Sequence, residues 1–185
     1  MHATPDQADW VRIMLEEHER GLLAYAARLL RDVEAARDVV QDVFLRMIRA
    51  ERSSVEGHEA EWLFTVCRNR CLDILRKEGR MNAMSERHVE QLSESSSHEK
   101  HAAGTFAAHD EQSRAVFEAI DALPHRQQEV IRLKFQGGLS YREISRVTEL
   151  TVTNVGFLIH TGLKTVRERM ARQHAEQRAN PGMAR

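Results

Sequence analysis

The sequence contains few of the residues that interrupt helices or cross-link a chain. In 185 residues there are three prolines and nine glycines, and aromatic residues make up 5% of the chain. Alanine, leucine, glutamate and arginine, which are all good helix formers, are abundant. This composition predicts an all-α protein.

Other absences exclude whole classes of protein. Two cysteines, Cys67 and Cys71, are too few for a disulfide framework, so a reducing, cytoplasmic location is expected. No run approaches the roughly 18 apolar residues of a transmembrane helix, and the polar start of the chain lacks a secretion signal, so no membrane insertion is expected. The sequence shows no paired catalytic carboxylates, nucleophile–base set, glycine-rich phosphate loop or metal-binding cluster, so we expect neither an enzyme nor a bound cofactor.

The net charge of −1 conceals an uneven distribution along the chain. Residues 1–80 hold 13 basic and 15 acidic side chains, residues 81–112 hold 2 and 6, and residues 113–185 hold 12 and 7. The middle segment is rich in serine and poor in large apolar groups, which predicts a flexible acidic linker between two small helical domains. Its four histidines have irregular spacing and no cysteine partners, so we interpret them as solvated rather than as metal ligands.

Two helices of the first domain carry candidate binding faces. Asp38 and Asp42 lie one turn apart on the helix predicted over residues 34–50, off its apolar stripe. A third helix, predicted over residues 59–78, has an apolar stripe that includes Trp62 and the two cysteines, which we interpret as buried space-filling thiols. Its opposite side has residue types that bind phosphates and base edges, although a plain solvated face has the same pattern. These residues are Arg68, Asn69, Asp73, Arg76 and Lys77.

The second domain has the sequence pattern of a helix-turn-helix. A helix that ends at Gly137 is followed by Ser140 and Glu143, which fit a capping box at the start of the next helix. After a short turn, Thr151 is a natural N-cap for the last helix. The outer face of that helix is largely polar, so we predict binding in the major groove of DNA, with a plain helical bundle as the alternative. That face consists of Thr153, Asn154, Phe157, His160, Thr161 and Lys164.

Three stretches together resemble the extracytoplasmic-function (ECF) sigma factors of the sigma-70 superfamily. They are residues 36–44, residues 62–76 and residues 123–167, in the order and with the separation typical of that family. The resemblance covers about residues 10–80 and 113–170. It implies a factor that binds core RNA polymerase, recognises the −10 and −35 elements of promoter DNA and promotes the initiation of transcription.

The same resemblance implies a role for each candidate face. The domain of residues 1–80 corresponds to sigma region two and is expected to contact the polymerase clamp through Asp38, Gln41 and Asp42. Its third helix is expected to contact −10 DNA through the five polar residues named above. The domain of residues 113–185 corresponds to region four and is expected to contact the −35 element. The residues implied in that contact are Thr151, Thr153, Asn154, Phe157, His160 and Lys164.

Two departures from the family pattern modify these expectations. Where the family has an acidic-alanine-acidic-acidic run, residues 35–38 are Ala-Ala-Arg-Asp, so clamp binding is expected to be weaker or to need a modification or an activator. The last helix has Gly156, Leu158, Thr161 and Leu163 where basic residues are usual. Binding to the −35 element is therefore expected to be weaker and less dependent on salt, or else this surface meets a protein.

Two other functions are compatible with the sequence. The second domain would also suit a helix-turn-helix transcriptional regulator that does not act as a sigma subunit. The apolar character of the last helix would suit a protein-interaction module that has lost DNA binding. The family resemblance also allows a regulatory partner such as an anti-sigma factor.

Overall fold

All regular secondary structure in the described part of the chain is helical, which confirms the all-α prediction. The computed structural model describes residues 5–89 and 111–179, with side chains described over residues 7–79 and 114–173. No helix within these ranges combines the length and the apolar character that a membrane span requires. The elements are α1 (Pro5–Leu30), α2 (Val33–Arg49), a short 3-10 helix (Arg52–Ser54), α3 (Glu59–Val89), α4 (Glu111–Asp121), α5 (His125–Phe135), α6 (Tyr141–Thr148) and α7 (Val152–Ala179).

The chain divides into two compact units, Met1–Thr105 (unit 1) and Phe106–Arg185 (unit 2). Helices α1 to α3 belong to unit 1, and α4 to α7 belong to unit 2. Helix α3 continues to Val89, beyond the boundary expected at residue 80, because residues 81–89 contain no proline or glycine and are mostly good helix formers. The remainder of the expected linker, up to residue 110, lies outside the described residues.

In unit 1, helices α1, α2 and α3 pack against one another. Helix α2 begins at a cap, because the carboxylate of Asp32 accepts hydrogen bonds from the N–H groups of Glu34 (2.9 Å) and Ala35 (3.2 Å). In the core, the rings of Tyr25 and Phe64 meet edge to face with their centroids 5.6 Å apart. This aromatic contact joins α1 to α3.

The burial of Trp62 and Phe64 on α3 differs from what the apolar stripe of that helix predicts. Trp62, expected in the core, is only half-buried, whereas Phe64 is fully buried. Two residues along a helix correspond to a rotation of about 200°, so only one of the two rings can face α1 and α2. The other indole, Trp10 of α1, is buried, and the guanidinium of Arg52 lies over its ring, 5.5 Å from the centroid.

The two thiols of α3, Cys67 and Cys71, are both fully buried and unpaired by a disulfide. The neighbouring Cys71 thiol and burial both raise the pKa of Cys67, so this thiol stays protonated. A protonated, buried thiol packs as a small apolar group, which agrees with the space-filling interpretation. Over the described part of the chain, no cluster of three or more potential metal ligands occurs.

In unit 2, helix α7 packs against α4, α5 and α6. The side chain of Arg132 on α5 is buried and pairs with Asp121 at the end of α4. Gln128 also closes that end of α4, since its amide nitrogen donates to the carbonyls of Asp121 (2.8 Å) and Leu123 (2.6 Å). These polar contacts hold α4 and α5 together while their apolar sides face α7.

Candidate binding interfaces

The junction between α6 and α7 has the caps that the sequence predicts. The hydroxyl of Ser140 accepts a hydrogen bond from the Glu143 N–H (3.3 Å), and the Glu143 carboxylate accepts one from the Ser140 N–H (2.6 Å). Helix α6 ends at Thr148, and its C-cap, Glu149, adopts a left-handed conformation with a φ of 59°. Thr151 then caps α7, because its hydroxyl accepts a hydrogen bond from the Asn154 N–H at 3.2 Å. Two capped helices joined by a short turn in this way form a helix-turn-helix.

The outer side of α7 is accessible at most of the residues predicted to contact DNA. Thr161 differs from the prediction, because its hydroxyl donates to the Phe157 carbonyl (2.8 Å) and accepts from the side-chain amide of Gln127 on α5 (3.4 Å). It is half-buried between α5 and α7 and does not belong to the outer face. Asn154 is half-buried but borders that face. The exposed members are Thr151, Thr153, Phe157, His160 and Lys164.

One side chain beside this face was missed by the sequence reasoning. The ring of Tyr141, the first residue of α6, lies 3.7 Å from the position that a Cβ on Gly156 would occupy. The Lys134 ammonium lies 5.8 Å from the centroid of the same ring, and Tyr141 remains 40% exposed. No signal in the sequence pointed to Tyr141, because the ring would also accommodate a Cβ at position 156 and so does not require the glycine there.

The polar side of α3 is exposed at four of its five candidate residues, which we call the α3 face: Asn69, Asp73, Arg76 and Lys77. On this face the Arg76 guanidinium pairs with Asp73 at 3.0 Å. The fifth candidate, Arg68, is half-buried and already has an interaction within the chain. Four of the five candidate residues are therefore exposed to solvent, whereas Arg68 lies at the edge of the face.

Helix α2 presents a row of exposed residues at helical spacing, which we call the α2 stripe: Asp38, Gln41, Leu45 and Ile48. Leu45 is 44% exposed and Ile48 is 40% exposed. The apolar periodicity of α2 predicts Ile48 to be buried, and the structure corrects this because the core side of α2 is already filled by Val43, Phe44 and Met47. The stripe thus combines polar groups at one end with aliphatic groups at the other.

Asp42 does not belong to the α2 stripe. One carboxylate oxygen of Asp42 lies 3.2 Å from the Nε of Arg46 on the next turn and 3.2 Å from the Nε of Arg70 on α3. The Asp42 side chain is 34% exposed. This carboxylate therefore joins α2 to α3 within unit 1, which sequence reasoning missed because Arg70 is distant along the chain.

Two family models match the chain, one for each unit. Sigma-70 region 2 matches residues 14–81, and Sigma-70 region 4 matches residues 113–166. The chain is 28% identical over 180 residues to the ECF RNA polymerase sigma factor SigE of Mycolicibacterium smegmatis, across 94% of this chain and 67% of that protein. It is 27% identical over 142 residues to the ECF RNA polymerase sigma factor SigK of Mycobacterium tuberculosis, across 76% of this chain and 74% of that protein.

The fold is also similar to that of a solved complex, the sigma factor RpoE with the anti-sigma factor NepR from Bartonella quintana. The TM-score is 0.61 at 23% sequence identity, and the match covers 86% of this chain and 96% of that one. At this level of identity the similarity concerns the fold alone.

Proposed function

The chain belongs to the extracytoplasmic-function (ECF) sigma factors of the sigma-70 superfamily, and from this membership we propose how its two units recognise a promoter. It is a sigma factor in transcription initiation, with core RNA polymerase and promoter DNA as its partners. The observation that carries this function is the occurrence of region 2 over residues 14–81 and region 4 over residues 113–166 in one chain. We assign the chain no catalytic step and no cofactor, and we place its action in the cytoplasm with the polymerase.

We assign polymerase binding to the α2 stripe. Asp38 and Gln41 are exposed, and Leu45 and Ile48 continue the same side of the helix with accessible aliphatic groups. A partner that covers the stripe removes apolar area from water and meets a charged group at one end, which favours both affinity and orientation. Asp42 acts here as a positioning residue, since two arginines hold its carboxylate.

The missing acidic residues near Asp38 are expected to weaken this contact. Arg37, at a position where the family has an acid, pairs with Glu34 at 2.6 Å. The pair neutralises one of the few acidic groups at the start of α2. Fewer acidic groups therefore face the polymerase than the family pattern provides.

We assign the −10 element to the α3 face. Arg76 and Lys77 supply positive charge for phosphates, and Asn69 supplies an amide that can bond to a base edge. The Asp73 carboxylate lies 3.0 Å from the Arg76 guanidinium, and this ion pair orients the guanidinium in the absence of DNA. All four residues of this face are exposed.

We assign the −35 element to the outer face of α7 together with Asn154 at its border. The exposed residues of this face are Thr151, Thr153, Phe157, His160 and Lys164. In a helix-turn-helix, the N-terminal part of the second helix contacts base edges in the major groove. Thr153 and Asn154 lie in that first turn, and Lys164 lies about 15 Å further along the helix from Asn154, within reach of the DNA backbone. With one lysine on this face, its binding is expected to depend less on salt than is usual in the family.

The test of the function is run-off transcription with purified core polymerase, on a promoter selected by the holoenzyme from a random library. We expect the chain to make core polymerase initiate at the selected promoter. If no template is transcribed while the full chain still binds duplex DNA, the chain is a helix-turn-helix regulator that works apart from polymerase. If it binds no DNA even with polymerase present, the protein-interaction module is favoured.

The assignment of α7 is tested by Asn154→Ala. The loss of a base contact is expected to weaken use of the −35 element by about 1–3 kcal/mol. Gln173→Ala is the matched control, because it removes an exposed amide about 28 Å further along the same helix. Equal promoter preference in wild type and Asn154→Ala would remove Asn154 from the −35 contact.

We also propose that a protein of the anti-sigma class controls this factor. The support is the fold shared with RpoE, which was solved with an anti-sigma factor bound. Purification from its own cells before induction is expected to recover the chain with such a protein in place of core polymerase. Recovery with polymerase under every condition would contradict this form of control.

A further inference from the structure

Phe157 presents an apolar ring to solvent on the outer face of α7. The residue is 64% exposed, whereas Val155 and Ile159, two positions to either side, are 0% and 3% exposed in the core. Phe157 therefore contributes little to the packing of unit 2. Single exposed apolar residues are common on protein surfaces, so the argument depends on where this one lies.

A phenylalanine ring has no hydrogen-bond donor or acceptor on its side chain, so it distinguishes base pairs by apolar contact. Among the groups that base pairs present in the major groove, the apolar one is the 5-methyl group of thymine. We propose that Phe157 packs against the methyl group of a thymine in the −35 element, and that unit 2 selects this base through its methyl. This inference rests on the proposed assignment of α7 to the −35 element.

The surroundings of Phe157 suit a base contact that does not depend on charge. Thr153, one turn before Phe157, is exposed on the same side of α7. Gly156 carries no side chain, and the ring of Tyr141 lies beside its backbone. Lys164 follows about 10 Å further along the helix from Phe157. A base beside Phe157 thus meets aromatic and hydroxyl groups, with no long charged side chain extending from position 156.

The attraction of unit 2 to DNA comes from residues other than Phe157. Residues 113–185 hold 12 basic and 7 acidic side chains, and Arg142 and Arg167 are among the exposed ones. These charges bind phosphates regardless of sequence, whereas the ring would choose the base. Salt should therefore lower the overall affinity for DNA without changing the preference for the methyl group.

The experiment uses holoenzyme made from core polymerase and the full chain, on the promoter selected from random duplexes. Each thymine of the −35 element is replaced singly by deoxyuridine, which removes only the methyl group. We expect one position to lose about three- to fivefold in affinity, as the loss of one buried methyl predicts. The ratio should be the same at low and at moderate salt. Phe157→Ala should bind the thymine and uracil templates equally.

Phe135→Ala is the matched control, because Phe135 of α5 is 63% exposed and lies off α7. This variant should keep the full preference for thymine over uracil. Phe157→Leu should keep part of the preference, since leucine retains an apolar contact. Circular dichroism of each variant shows whether it keeps the helical fold, which is expected because both rings are exposed.

The proposal is overturned if no thymine of the selected element responds to loss of its methyl, or if Phe157→Ala keeps the response. It is also overturned if Phe157→Ala binds DNA as wild type does but binds core polymerase less tightly, because Phe157 is then a protein contact. Failure to select any −35 element overturns the assignment of α7 and this inference with it. That result differs from the others because no preferred sequence emerges at the −35 position.

Discussion

The Cδ1 methyl of Ile131 lies 2.7 Å from the position that a Cβ on Gly162 would occupy. Ile131 belongs to α5 and is 1% exposed, so its terminal methyl fills the space that a side chain at position 162 would occupy. In a helix interior, glycine costs about 1 kcal/mol relative to alanine. The packing of the Ile131 side chain against Gly162 explains why a weak helix former occupies this position.

Gly162→Ala is therefore expected to lower the free energy of unfolding of unit 2 by about 1 kcal/mol, because overpacking of roughly 1–3 kcal/mol exceeds the gain in helix propensity. Gly156→Ala is the matched control: its Cβ would meet the Tyr141 ring at 3.7 Å, an ordinary contact, so stability should rise by up to about 1 kcal/mol. Hydrogen exchange of the α5 and α7 amides measures both effects. Equal stabilisation by the two substitutions would contradict the packing of Ile131 against Gly162.

Asp42 and Arg70 are expected to stabilise unit 1 as a pair. A double-mutant cycle with Asp42→Ala and Arg70→Ala should give a coupling of about 0.5–1 kcal/mol, modest because the side chains are 34% and 39% exposed. Urea unfolding followed by circular dichroism measures it. Asp38→Asn is the control. Because Asp38 is exposed, this substitution should change the free energy of unfolding by less than about 0.5 kcal/mol. It should nevertheless weaken binding to core polymerase. Strict additivity in the cycle would show that the ion pair contributes nothing.

Acid is expected to weaken the cap of α6. The hydrogen bonds with Ser140 lower the pKa of Glu143 in the folded chain. The stabilisation is therefore complete above the unfolded-state pKa, about 4.3, and is lost as pH falls through the lower folded-state pKa. In urea unfolding, wild type should lose stability relative to Glu143→Gln as the pH is lowered below about 4.3. A constant difference across this range would show that the carboxylate charge is not involved.

Ser140→Ala is expected to lower the free energy of unfolding of unit 2 by about 1 kcal/mol at neutral pH, because it removes the hydroxyl that accepts a hydrogen bond from the Glu143 N–H. The measurement is hydrogen exchange at the first amides of α6. Ser140→Thr, which keeps a hydroxyl, is the control and should retain most of the protection. Unchanged exchange in the alanine variant would contradict a stabilising cap.

Arg76→Ala is expected to lower the yield of open promoter complexes roughly tenfold, as the loss of one specific DNA contact predicts. Permanganate reactivity of unpaired thymines measures the yield. Arg12→Ala on α1 is the matched control, because Arg12 pairs with Glu16 at 3.0 Å much as Arg76 pairs with Asp73 at 3.0 Å. A normal yield from Arg76→Ala, or an equal loss in both variants, would argue against the α3 face as the −10 contact.

The features predicted best from the sequence depend on near neighbours. The capping box of Ser140 and Glu143 spans three residues, and the cap at Thr151 acts within the next turn, so local chemistry decides both. The helical periodicity likewise predicted correctly which side of α7 is exposed to solvent, for most of its residues. The side of a helix that faces solvent follows from the period when one apolar stripe is clear.

The features that were not predicted depend on contacts between distant residues. The sequence placed Asp42 off the apolar stripe of α2 and indicated no partner for it, but α3 brings Arg70 to it. Thr161 appeared to belong to the outer face of α7, but Gln127 of α5 reaches its hydroxyl. A single helical wheel contains no information about the neighbouring helix, so such residues are assigned correctly only once the packing is known.

Both tryptophans of the chain belong to unit 1, with Trp10 buried on α1 and Trp62 half-buried on α3. Indole emission, excited where tyrosine does not absorb, therefore records the melting of unit 1 alone. Unit 2 is silent in that channel, even in the intact polypeptide. Native fluorescence thus separates the thermal transitions of the two halves without a label or a truncation.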